Sequence, residues 1–162
     1  MEIRSLKLRD TNYGESWFSN VYDHWIYDDF KNNSDWRKNW ISMDCAYIND
    51  EDNIIYLGIT TFDENGIFMA YDRNKDEFID LGFSKIAKPF DGKFHRALFK
   101  RKKDGCIYAT IALLHCVDKQ WEAPGAAIIK YEPKTGNIER GITLMPHVYI
   151  QSAVLDEKKD LV

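Results

Sequence analysis

The chain has 162 residues, 44% of them hydrophobic and 14% aromatic, which is enough for one folded domain and excludes a disordered polymer. Its formal net charge of −4, with acidic and basic residues interspersed, excludes a general positive field for nucleic acid. No apolar run approaches the roughly 18 residues of a membrane span, and the start is too polar for a signal peptide. We therefore expect no membrane partner and a cytoplasmic location, or a secreted or periplasmic one if a segment is missing upstream.

Residues 1–41 predict an aromatic-rich N-terminal extension. They hold four of the five tryptophans, crowded among carboxylates. Rings beside carboxylates are typical of a sugar site, because sugar C–H faces pack on rings while hydroxyls bind oxygen acceptors. The interpretation we favour is that the rings anchor this extension to neighbouring strands, or that it supplies a strand to another sheet.

Residues 42–82 predict a unit of four consecutive strands. Apolar or alternating runs are separated by polar turn residues, which is the pattern of hairpin-linked strands. The predicted strands are 42–48, 53–61, 67–71 and 77–81.

Residues 92–143 repeat that order in a second unit. Tyr56 corresponds to Tyr108, and Tyr71 corresponds to Tyr131. The offset grows from 52 to 60 residues because the second unit carries an extra loop at 115–124. The predicted strands are 94–99, 106–114, 126–131 and 137–143.

Residues 148–162 predict the start of a third unit, because the order of residues 153–162 parallels that of residues 46–55. Its first strand is expected at 150–155. Two units and a fraction leave strand edges uncovered, and such edges pair with other chains. We therefore expect self-association, or further units that complete the assembly.

The inner strands of both units are nearly continuously apolar, as in 54–57 and 126–129. Such strands need cover on both faces, whereas the fourth strand of each unit is more polar and alternating. Four-stranded antiparallel units that recur at 50 to 60 residues predict an all-β, β-propeller-like fold. A β-sandwich is the alternative, although it would not require a recurring four-stranded unit.

Two motifs carry a resemblance to a known family. The segments 104–109 (DGCIYA) and 128–139 (IIKYEPKTGNIE) resemble the DGxIYxxT and YDPxTGxxExLG blade repeats of bacterial seven-bladed β-propellers. The resemblance covers about residues 42–162 and implies the propeller fold. The group includes sugar-handling proteins, some polysaccharide lyases among them, so carbohydrate binding is the implied function and activity does not carry over with the fold.

Candidate functional residues gather where the predicted topology brings strand ends to one edge of the sheets. Three histidines lie near ends of predicted strands, with aromatic, cationic and amide side chains near them in the chain. The predicted ligand-binding residues are His95, His115, Trp121, His147, Tyr149 and Gln151.

The alternative to a binding module is a lyase that acts on uronate-containing glycans by β-elimination. A neutral imidazole of His95 or His115 would remove the proton next to the carboxylate. Arg96 would hold that carboxylate, and Tyr149 would donate a proton to the leaving oxygen. Each of these histidines is also a candidate for a structural hydrogen bond at a strand end.

No cofactor is expected, because the chain carries no phosphate-cradling glycine-rich loop. No metal is expected either, because the histidines lack HxH or HxxxH spacing. The three cysteines lack CxxC spacing and are interpreted as small buried thiols. The basic run 100–103 lies in the first hairpin of the second unit and predicts a solvated turn.

Overall fold

The computed structural model describes residues 41–61, 66–112 and 121–161, and these residues form an all-β structure. Eight strands build two four-stranded sheets, and one 3-10 turn at Phe83–Lys85 lies between them. The first sheet contains β1 (Ile41–Asn49), β2 (Ile54–Thr61), β3 (Ile67–Asp72) and β4 (Glu77–Asp80). The second contains β5 (Lys93–Lys100), β6 (Ile107–Ala112), β7 (Ala127–Glu132) and β8 (Asn137–Thr143).

Both sheets are antiparallel meanders in which neighbours in the chain are neighbours in the sheet. The eight strands of the two predicted units are therefore confirmed, with ends that differ by one or two residues. The exception is the end of the predicted strand 106–114, which lies outside the described residues, as does the extension up to residue 40. The two sheets do not close a ring within the described residues, so the propeller remains a prediction.

The strand register confirms the predicted equivalence of the two units. Ile55 faces Tyr71 in the first sheet, and Ile107 faces Tyr131 in the second. Tyr56 is the residue after Ile55, and Tyr108 is the residue after Ile107. The Tyr56 hydroxyl donates to Asp52 at 3.5 Å, and the Tyr108 hydroxyl donates to Asp104, 52 residues further on, at 2.8 Å.

Equivalent four-residue turns occur at three places in the chain. Four turn residues lie between Asn49 and Ile54, between Arg101 and Cys106, and between Asp156 and Leu161. Each turn ends on a residue with a left-handed backbone, with φ of 61° at Asn53, 71° at Gly105 and 56° at Asp160. The third turn is thus formed as the sequence parallel between 46–55 and 153–162 predicts.

The predicted first strand of the third unit differs from the structure. Residues 150–155 form no strand, and the segment 148–161 contributes only the isolated bridge between Asp156 and Leu161. A strand exists through its pairing with a neighbour, and no described segment lies beside 150–155 to pair with it.

The core lies between the two sheets and takes one face from each. The Phe94 ring stacks on Phe68 with centroids 5.3 Å apart. The Tyr131 ring lies 6.1 Å from Tyr56 and 6.0 Å from Phe68. The first sheet contributes Cys45, Tyr47, Ile54, Tyr56, Phe68, Ala70 and Ile79, and the second contributes Phe94, Leu98, Ile107, Ala109, Ile111, Ile129, Tyr131 and Ile138.

The faces that meet are opposite faces of the repeated unit. Tyr56 points into this core, whereas its equivalent Tyr108 lies on the other side of the second sheet beside Phe99. Tyr131 points into the core, whereas its equivalent Tyr71 pairs with Ile55 on the far face of the first sheet. The two units therefore pack head to tail.

Gly58 is needed where β5 approaches the first sheet. A Cβ atom at Gly58 would lie 2.5 Å from the Cys45 sulfur and 2.7 Å from the Phe94 Cβ. Both distances are shorter than real Cβ contacts allow, so a side chain here would force the sheets apart. Burial raises the pKa of the Cys45 thiol to about 11, so it stays protonated in this tight contact.

A buried ion pair holds the linker between the sheets to β8. Arg140 donates from Nε and Nη2 to both carboxylate oxygens of Asp91, at 2.7 and 3.1 Å. The side chains are 5% and 0% exposed. Asp91 also accepts from the Lys88 amide, and its carbonyl accepts from the Gly66 amide, so one residue connects both sheets.

Acid should release the third turn. Arg101 and Lys103 donate to Asp160 and hold the pKa of its carboxyl at about 2, below the ordinary 3.8. A folded pKa below the unfolded one means that these contacts stabilise the turn above about pH 4 and are lost as the pH falls towards 2. The protection of the amides at 157–161, measured relative to their intrinsic exchange rates at each pH, should therefore fall across that range before the sheets unfold. Asp160→Asn should remove the pH dependence, and an unchanged profile in that variant would contradict the assignment.

Candidate functional site

Two β-bulges place polar side chains at equivalent positions of the two units. The register of β1 shifts between Met43 and Cys45, and that of β5 shifts between Phe94 and Leu98. Asp44 lies in the first shift. Arg96, 52 residues later and with φ of 51°, lies in the second. Bulges re-aim side chains out of the sheet pattern and are frequent beside binding sites.

Asp44 is a half-buried carboxylate held by hydroxyls and a cation. Its oxygens accept from Ser42 Oγ at 2.9 Å and from the buried Thr60 Oγ1 at 2.5 Å. Lys93 Nζ lies 3.7 Å away, and the Asp44 side chain is 17% exposed. Both carboxylate oxygens are thus held by protein hydroxyls, while the side chain keeps contact with solvent.

His95 lies within the same electrostatic environment. Burial lowers the pKa of the imidazole, the charges of Lys93 and Arg96 lower it further, and Asp44 opposes them. The ring is therefore neutral at neutral pH and can accept a proton or a hydrogen bond. The His95 carbonyl accepts from Thr110 Oγ1 at 3.0 Å, which fixes the backbone inside the bulge.

A second group of predicted residues lies around the segment that follows β8. Trp121 is 76% exposed, and its ring lies 6.2 Å from the His147 ring. His147 has φ of 58°, and its Nδ1 bonds the Ala123 carbonyl at 2.9 Å. Gln151 Nε2 donates to the Tyr149 hydroxyl at 3.4 Å. This group offers an open ring face next to hydrogen-bonding side chains.

The repeat relates Gln151 to the bulge residues. The third turn aligns Asp156 with Asn49, an offset of 107 residues, and the same offset takes Asp44 to Gln151. Asp44, Arg96 and Gln151 therefore align at one position of the sequence repeat, with a register shift at the first two and no strand at Gln151. We call these three residues the bulge row.

The structure brings the predicted site residues together in separate sets. His95 and Arg96 share one environment, Trp121 contacts His147, and Gln151 contacts Tyr149. Within the described residues no hydrogen bond or ring contact joins the first set to the others. His115 lies outside the described residues.

Sequence reasoning missed Asp44 and Lys93. Asp44 could have been found from the repeat alone, because it stands 52 residues before Arg96, the same offset that relates Tyr56 to Tyr108. Lys93 had no such signal. Its role depends on the 3.7 Å approach to Asp44 across the two sheets.

The basic run 100–103, predicted as a solvated turn, makes ion pairs with acidic residues of other turns. Lys100 donates to Glu51 of the first turn, and Arg101 and Lys103 donate to Asp160 of the third. Ion pairs thus join the turns of successive units along one edge. Lys100, Arg101 and Lys103 are engaged in these ion pairs.

Other kinds of site have little support in the described part of the chain. Among residues 41–61, 66–112 and 121–161, no group of three metal-binding side chains occurs. No helix there is long and apolar enough to cross a bilayer. Cys45 and Cys106 are free. A cleft of about 350 Å³ beside β3 is lined by none of the predicted residues and offers only Asp80 and Ser84 as polar side chains.

No protein-family model matches this chain, and no curated protein or solved structure is significantly similar to it.

Proposed function

We propose that this chain is a ligand-binding module of the β-propeller class, with two successive blades and the start of a third. The supporting observation is the head-to-tail packing. Two units related by a two-fold axis, as in a symmetric sandwich, bury the same face, whereas units that follow one another around an axis bury opposite faces. Here Tyr56 meets Tyr131 and not Tyr108.

The ligand we propose is a carbohydrate, bound by the bulge row and the Trp121 ring. The observation that carries this is the irregular strand register at Asp44 and again at Arg96, which places a carboxylate and a guanidinium at corresponding positions of the two units. The sequence repeat aligns the Gln151 amide with them. Such groups bind sugar hydroxyls, and an exposed indole packs on the C–H face of a sugar. The bulge row would thus supply hydrogen bonds to sugar hydroxyls, and Trp121 would supply the apolar surface on which the sugar packs.

A glycan-binding screen with the full chain tests this proposal, followed by titration calorimetry of the best ligand. Arg96→Ala should weaken binding about tenfold or more, since a hydrogen bond to a charged group contributes about 1.5–3 kcal/mol. Trp121→Ala should also weaken binding, because it removes the ring that packs on the sugar. Arg73→Ala is the matched control, because Arg73 lies in the β3–β4 turn and pairs with Asp50. Absence of any glycan ligand, or equal affinity in all three variants, would overturn the proposal.

A lyase is the second candidate, favoured by the neutral His95 between Lys93 and Arg96. In that reaction His95 would take the proton next to the uronate carboxylate, the bond to the leaving oxygen would break, and Tyr149 would protonate that oxygen. Uronate polysaccharides would then give a rise in absorbance from the unsaturated product. Turnover abolished by His95→Ala or His115→Ala would establish the enzyme, whereas binding without turnover supports the module.

A further inference from the structure

Residues 148–156 run along the length of the second sheet between two anchors. At one end the Val148 carbonyl accepts from the Ala126 amide at 2.8 Å, next to the start of β7. At the other end the turn that begins at Asp156 contacts Arg101 through Asp160 at 2.6 Å. These anchors lie at opposite ends of β6, because Ala127 faces Ile111 and Arg101 pairs with Cys106.

The two anchors are joined by a backbone that forms no helix, turn or bend between residues 148 and 155. Six strand residues separate their levels along β6, which corresponds to about 20 Å. Eight residue steps in a helix would cover only about 12 Å, whereas an extended chain covers up to about 28 Å. The segment therefore crosses the sheet in an extended conformation.

Among the described residues, this extended segment has no neighbouring strand. Between Tyr149 and Leu155 no backbone hydrogen bond to any described residue occurs. The seven residues carry no charge, proline or glycine, which are the devices that normally prevent strand pairing. Val154 is 81% exposed while its neighbours Ala153 and Leu155 are partly buried, so exposure alternates over 153–155 as in a strand, whereas Gln151 and Ser152 are both exposed.

We propose that residues 149–155 accept an uncharged antiparallel β-strand, of the chemistry of β2, that continues the ladder begun by Asp156 and Leu161. The two residues exchange both backbone hydrogen bonds, at 2.8 and 3.3 Å. They are equivalent to Asn49 and Ile54, after which β2 pairs along β1 with a single register shift at Asp44. The occupant follows from this continuity with an existing pair, and its register is fixed by it.

The side chains of β2 show what the occupant contributes. β2 is free of charge and is largely buried on both faces. A strand of that type next to 149–155 would cover exposed apolar groups such as Val154 and Leu161, which are 81% and 60% exposed. The proposal depends on the repeat alignment behind the propeller proposal and is independent of glycan binding, so the two can fail separately.

The experiment extends the full chain after Val162 by six residues in the order of β2, Tyr-Leu-Gly-Ile-Thr-Thr. Covalent attachment gives the strand a high effective concentration. Hydrogen exchange of those amides of 149–155 that face the incoming strand should slow by about tenfold or more relative to the unextended chain. A scrambled extension of the same six residues should give no such protection.

Two substitutions at an exposed position test the register. Asp156 and Leu161 form a hydrogen-bonded pair, so the amide of Val154, two residues away, faces the incoming strand. Val154→Pro should abolish the protection in the extended chain, whereas Val154→Thr, which keeps the amide, should retain it. Equal protection with the scrambled extension, or with Val154→Pro, would overturn the proposal. Concentration-dependent protection in the unextended chain would show that a second copy is the occupant, and would equally overturn it.

Discussion

Replacing Asp91 with alanine is expected to lower the free energy of unfolding by about 3–5 kcal/mol, because it leaves the Arg140 guanidinium buried without its partner. Arg140 is 5% exposed, and Asp91, which is 0% exposed, receives two of its hydrogen bonds. The same substitution removes the hydrogen bond that the Lys88 amide donates to the Asp91 carboxylate within the linker. Urea unfolding followed by fluorescence measures the change.

The double variant Asp91→Ala/Arg140→Leu separates the pair from its surroundings. Removing both charges should recover part of the loss, because a buried ion pair is less costly to replace than to break. Asp50→Ala is the control, since its partner Arg73 is on the surface and such pairs contribute about 0–1 kcal/mol. Equal losses from Asp91→Ala and Asp50→Ala would contradict the role assigned to the linker.

Phe94→Ala is expected to destabilise the protein by about 3–5 kcal/mol, the usual cost of removing a fully buried ring. Phe94 is 0% exposed and contacts rings from two other segments, with centroids 5.3 Å from Phe68 and 4.9 Å from Phe83. The cavity would lie between the sheets, where Gly58 has already been brought close to β5. The same urea unfolding reports the loss.

Phe99→Ala provides the matched control on the same strand. Phe99 stacks on Tyr108 within the second sheet, at 6.0 Å, and lies outside the core cluster that the described residues form between the sheets. Its loss should therefore be smaller than that of Phe94→Ala by about 2 kcal/mol, as expected for a partly buried side chain. A larger effect at Phe99 than at Phe94 would show that the core lies on the other face of the second sheet.

The eight strands of the two units could be predicted because their determinants are local. A polar turn such as 72–76 between two apolar runs specifies a hairpin without reference to the rest of the chain. The tyrosine equivalence was also readable, because Tyr56 and Tyr108 each follow an aspartate four residues earlier. Residues 150–155 were predicted as a strand from the same pattern, yet pairing also needs a neighbour that no pattern within the segment can supply.

The candidate site was less predictable because it depends on contacts between segments distant in the chain. A bulge changes one hydrogen-bond step and leaves no mark in composition, so the shared role of Asp44 and Arg96 appeared only with the register. The approach of Trp121 to His147 depends on how the loop before β7 meets the segment after β8. The predicted topology put the three histidines near strand ends, but it could not predict contacts between distant segments such as that of Trp121 with His147.

The central claim is that successive units pack head to tail, and aromatic nuclear Overhauser effects in solution test it most directly. Selective labelling of tyrosine and phenylalanine should give cross-peaks between Tyr131 and both Tyr56 and Phe68, whose ring centroids lie 6.1 and 6.0 Å away. A symmetric sandwich of the same two sheets would instead bring Tyr56 to its equivalent Tyr108. Cross-peaks from Tyr56 to Tyr131 are the result we predict, and cross-peaks from Tyr56 to Tyr108 would contradict it.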